Sequence, residues 1–172
     1  MTKLSVSNRP APHQRLKLIR LCISAAALGL SSITLVNMSF AQTLVVTQDL
    51  TFGKIVMSDL LSVSTIVVNP AGSYTVDPTT YLIEDPENGD YDLVGGPPST
   101  VYTLTFPPAV GLVGPGVSNF TVDNFTTLPA TLTTDSSGDV RFRLGARLRS
   151  SGSGLPYSDG NYSGTININI SY

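Results

Sequence analysis

From Thr43 onward, apolar and polar residues alternate in short runs, as in Val101-Tyr102-Thr103-Leu104-Thr105-Phe106 and Arg141-Phe142-Arg143-Leu144. Successive side chains of a strand point to opposite faces, so a period of two predicts strands buried on one side. Residues 164–172 give the strictest case. Ile166, Ile168, Ile170 and Tyr172 share one parity, and Thr165, Asn167, Asn169 and Ser171 the other. Near the start, Leu44, Val46, Leu50 and Phe52 share a parity that Gln48 interrupts. Turn-forming clusters separate the runs: Asn69-Pro70-Ala71-Gly72, Asn88-Gly89, Gly114-Pro115-Gly116 and Ser158-Asp159-Gly160 among them. Apolar spacing of three and four is never sustained over a helical length. Short strands at these intervals predict an all-β sandwich or barrel of about seven to nine strands, and the fold expected here is an immunoglobulin-like antiparallel β-sandwich.

Before Thr43 the pattern is different. Lys3, Arg9, Arg15, Lys17 and Arg20 precede an apolar run over residues 21–36, and Ser39-Phe40-Ala41 follows with small residues at both ends. This basic, apolar, small-residue order predicts a secretory signal peptide over residues 1–41, cleaved after Ala41. The apolar run contains Ser24, Ser31 and Ser32 and is shorter than the roughly 20 residues of a spanning helix. Residues 42–172 are therefore expected to be one exported domain, in the periplasm, at the cell surface or outside the cell, with no stable membrane span after cleavage.

Composition then excludes several chemistries. Cys22 and His13, the single residues of their types, both precede residue 42, and the chain has no Trp. Beyond residue 41 there can be no cysteine nucleophile, histidine-based triad or Cys/His zinc site. Five basic residues face twelve acidic ones there, a formal charge of −7, which disfavours nucleic acid as a partner. Neither a cofactor nor catalysis is expected. Without disulfides the core must suffice, and a domain of this size buries about two-thirds of its unfolded surface.

Two charged patterns remain. Glu84-Asp85-Pro86-Glu87-Asn88-Gly89-Asp90-Tyr91-Asp92 offers five carboxylates, but without EF-hand spacing and with Pro86 at a ligand position in the obvious register. It reads best as a hairpin turn on Asn88-Gly89. Clustering on one turn is also wrong for glycoside hydrolysis, where two carboxyl groups face each other across the substrate. Arg141, Arg143, Arg147 and Arg149 share a parity opposite Phe142, Leu144, Ala146 and Leu148, with Gly145 as a candidate bulge. They read either as a docking stripe for an anion or partner, or as a solvated face. Asn119, Asn124 and Asn161 head glycosylation-type triplets, read as chance matches.

The segments Leu50-Thr51-Phe52-Gly53-Lys54-Ile55, Leu144-Gly145-Ala146-Arg147-Leu148 and Gly160-Asn161-Tyr162-Ser163-Gly164, with the isoleucine-rich end, resemble a family of bacterial secreted proteins. It is domain of unknown function 4402, similar to fimbrial (pilin-like) and spore-coat U-type subunits. Gly160 and Tyr172 keep the twelve-residue spacing of the pilin C-terminal strand, although Tyr172 is last rather than penultimate and the common pilin disulfide is absent. The resemblance implies a non-catalytic structural subunit, with a homo-polymer or fimbrial partners and a periplasmic chaperone and usher. The rival is a monomeric adhesin or carbohydrate-binding module; a carboxylate hydrolase is a distant third. For assembly, residues 42–49 are a candidate donor strand offering Leu44 and Val46, and Ile166, Ile168, Ile170 and Tyr172 mark the receiving edge. The competing reading pairs the donor segment within its own sheet.

Overall fold

Twelve strands, every pair antiparallel, and no helix make up the described residues, 42–116 and 119–172 of the computed structural model. Residues 1–41, and with them the expected signal peptide, lie outside the described residues. The chain is all-β and consistent with a sandwich, but with more strands than the seven to nine expected. Two breaks illustrate the excess. Gly53, at φ 72°, separates β1 (Thr43–Gln48) from β2 (Lys54–Met57), and a Cβ there would run into the carbonyl of Glu84. Pro107-Pro108 separates β7 (Val101–Thr105) from β8 (Ala109–Leu112), because proline cannot donate to a ladder.

The organising element is β11 (Val140–Arg149). Along one edge it pairs first with β6 (Gly89–Val94) and then with β3 (Thr65–Val68); along the other it pairs with β9 (Phe120–Leu128). β1 continues the sheet beyond β6, β4 (Tyr74–Val76) beyond β3, and β8 beyond β9, giving seven strands. Phe142, Leu144, Ala146 and Leu148 are buried, as their parity requires. Gly145 is buried where the β6 and β3 ladders meet, and a Cβ there would strike the carbonyl of Val68 and the ring of Pro70. The extra residue of the ladder lies in β9 rather than at Gly145: Gly145 pairs with Thr126 but Arg147 with Asp123, and Asn124 has φ 52°. The arginine parity therefore survives.

Two smaller sheets complete the fold: β7 between β10 (Leu132–Thr133) and β12 (Asn169–Ser171), and β2 with β5 (Thr80–Glu84). They add Tyr102 and Leu132, and at the margin Ile55 and Leu82, to a core containing Leu50, Ile66, Leu93, Val122 and the inner side of β11. Tyr91 stacks on Phe142 with ring centroids 5.4 Å apart, and burial pushes its phenol up to about 12.

The acidic stretch forms no hairpin. β5 pairs with β2, whereas β6 pairs with β1 and β11, so residues 84–92 pass from one sheet to another. A type I′ turn needs positive φ at both central residues, and neither Asn88 nor Gly89 has it. Gly89 is instead a strand residue opposite Leu144, where the Tyr91 ring leaves no room for a Cβ.

Candidate functional site: an open strand edge and a paired arginine face

Residues 164–172 keep the predicted faces but not the predicted ladder. Ile166 and Ile168 are buried, Ile170 is half-buried, and Thr165, Asn167, Asn169 and Ser171 are exposed. Tyr172 leaves the buried face: it is 73% exposed and meets Tyr102 edge-on with centroids 5.3 Å apart. Ser163 and Val113 exchange backbone hydrogen bonds of 2.8 and 3.0 Å, after which pairing resumes only at Asn169, opposite Thr105. Between those points, residues 165–168 make no backbone–backbone hydrogen bond among the described residues. The stretch they run along, between Thr105 and Val113, contains Pro107-Pro108, which lack N–H groups and carry the chain from the small sheet to the large one. The strand expected over residues 164–172 thus reduces to β12. The far edge of β12 has no ladder partner among the described residues.

On β11, all four arginines lie on the outer side, but three of them already have carboxylate partners. Arg141 donates through Nε (2.7 Å) and Nη2 (2.5 Å) to the two carboxylate oxygens of Asp90 on β6. Arg147 grips Asp123 on β9 in the same bidentate way, at 2.7 and 3.1 Å, and Arg149 reaches Asp123 at 3.4 Å. Hydrogen bonds from Arg141 and Arg147, opposed by partial burial, hold the Asp90 and Asp123 carboxyls below their ordinary value. Arg143 lies opposite Asp90 in the register and favours its charge electrostatically. Sequence reasoning placed Asp90 in an acidic turn, passed over Asp123 and paired neither with an arginine, since nothing local says which strands flank β11.

Domain of unknown function (DUF4402) is the family whose model matches, over residues 43–172. The chain belongs to that family. No curated protein and no solved structure matches it.

In this DUF4402 chain, residues 43–48 occupy their own sheet, with β1 pairing β6 from Thr43–Val94 to Gln48–Asp90. Leu44 is half-buried and the other five residues of β1 are exposed, Val46 at 42%. Gln42 Nε2 donates to Tyr102 Oη at 2.8 Å, so the start of β1 and the end of β12 meet at one tyrosine. The acidic residues disperse: Asp85 accepts from Tyr74 Oη, Glu87 from Gln48 and Asp92 from Thr47, while Asp90 serves Arg141. Among the described residues, no three His, Cys, Asp or Glu side chains stand together as a metal site. A small recess lined by Ile55, Met57, Ser64, Ile66, Thr80, Phe120, Leu148 and Ser150 offers hydroxyls and apolar groups but no acid–base pair.

Proposed function

We propose that this DUF4402 chain is an exported, non-catalytic, pilin-like structural subunit of a bacterial surface or fimbrial assembly. The supporting observation is the ladder-poor edge at residues 164–172, which is a template for another strand. Natural edges are usually guarded by charge, proline or bulges, yet residues 160–172 contain neither a charged side chain nor a proline. The expected fimbrial or homo-polymeric partners, with a periplasmic chaperone and usher, fit this reading. A donor role for residues 42–49 would require β1 to leave β6. The arginine face contributes less to docking than its sequence suggests, because Asp90 and Asp123 occupy it.

The second reading is a monomeric carbohydrate-binding adhesin. It draws on Tyr81, 61% exposed on β5, and on Tyr74, whose hydroxyl donates to Asp85 just past that strand. Light scattering on the protein recovered from an exporting host, paired with glycan-binding measurements, separates the two. Multi-subunit species without glycan binding support the structural subunit. A monomer that binds glycans at every concentration reverses the conclusion.

A further inference from the structure

We propose that the edge of residues 164–172 pairs with the same edge of a second copy, antiparallel across a two-fold axis, joining two three-stranded sheets into one. This names the contact within the structural-subunit reading, on which it rests for taking the partner to be another copy.

The conformation comes first. Residues 165–168 have the alternating burial of a sheet strand, yet their main-chain groups have no backbone partner among the described residues, and the far edge of β12 is likewise unpaired. Such groups gain most from a strand alongside.

Charge then selects the occupant. Residues 42–172 carry a formal −7, so two copies repel over most of their surfaces, but residues 160–172 have no charged side chain. Among the other open edges, β2 and β5 hold Lys54 and Glu84, Asp77 follows β4, and β8 leads through Val113 to the bridge with Ser163 at the start of this same stretch. β1 is uncharged and its far edge is open as well, but Asp49 follows it directly. A second copy can therefore approach along residues 164–172 without burying an unpaired charged side chain.

The sequence of the edge is complementary to itself. The register that overlaps all of residues 164–172 is centred on Ile168. It sets Ile166 of one copy opposite Ile170 of the other, Asn167 opposite Asn169, and Thr165 opposite Ser171. Apolar meets apolar and polar meets polar, as a two-fold contact requires.

The test is sedimentation of the exported protein over a wide concentration range. Asn167→Lys with Asn169→Lys places like charges across the seam on two exposed positions. It should weaken self-association by about tenfold or more while leaving the thermal midpoint in place. Mixing that double-lysine variant with Asn167→Glu/Asn169→Glu should restore association, because opposite charges then face each other at both positions. As a measurement independent of those charges, Asn167→Cys mixed with Asn169→Cys should give a disulfide-linked dimer in higher yield than either alone. Association unchanged by the lysines, with no preferential cross-link, overturns this contact while leaving the structural subunit standing. Association lost only on deleting residues 42–47 assigns the edge to an exchanged β1 instead. A monomer at every concentration overturns both the contact and the structural-subunit reading.

Discussion

β11 and the stretch over residues 164–172 read alike in the sequence, each alternating apolar and polar residues, yet one is the best-supported strand and the other barely a strand. β11 has ladders on both edges, and its outer arginines are held by carboxylates of the flanking strands. The C-terminal stretch seats Ile166 and Ile168 as deeply as β11 seats Phe142, but has ladder partners only at residues 169–171 and on one edge. Alternation records which way side chains point. It says nothing about what lies beside the main chain, and main-chain pairing separates a closed region from one prepared for a partner.

The contrast can be broken most forcefully at the core. Phe142→Ala removes a ring stacked on Tyr91 and should cost about 3–5 kcal/mol, whereas Ile170→Ala, half-buried, should cost about 1–2 kcal/mol. Denaturant midpoints at constant slope check both, and equal costs would mean that the C-terminal stretch is as tightly integrated as β11. Hydrogen exchange sharpens the comparison by addressing the main chain alone. Amides of residues 165–168 should exchange about a hundredfold faster than those of Leu144 and Leu148, despite the buried isoleucines.

Acid should act on β11 and spare the other stretch. The folded values of Asp90 and Asp123 are depressed, so their contribution is fully present above the unfolded value, about 3.9, and is lost as pH falls through the folded values. Asp90→Asn with Asp123→Asn should flatten that acid limb in urea melts from pH 7 to 2; an unaltered limb would assign acid sensitivity elsewhere. The smallest difference lies within the arginine face. Arg147→Ala should lower the denaturant midpoint slightly and Arg143→Ala not measurably, the reverse order arguing against Asp123 as the anchor.

Much of this could be read from the residues. The all-β class, the buried parity of β11 and the burial of Ile166 and Ile168 follow from local alternation, and the family suspected from the Phe52-Gly53 and Gly160-to-Gly164 segments is the one that matches residues 43–172. What escaped depends on residues distant in sequence. Asp123 meets Arg147 only because β9 flanks β11, and Asn88-Gly89 looks like a turn until Tyr91 and Leu144 claim Gly89 for a strand. The broken ladder at residues 165–168 was legible only in part: Pro107-Pro108 is plain in the sequence, but that it lies along the isoleucines is a matter of topology.

Gln42 and Tyr172 both rest on Tyr102, and this has a mechanical consequence. Tension that draws these two residues apart bears first on the rungs nearest them, Thr43 with Val94 and Ser171 with Thr103. Where that pull runs across the strands, each ladder is loaded from its end, one rung at a time, and peels rather than shears, so the molecule yields at low force. Load carried along a chain of subunits is better borne where it enters through a strand laid lengthwise on the neighbour, with every rung stretched at once.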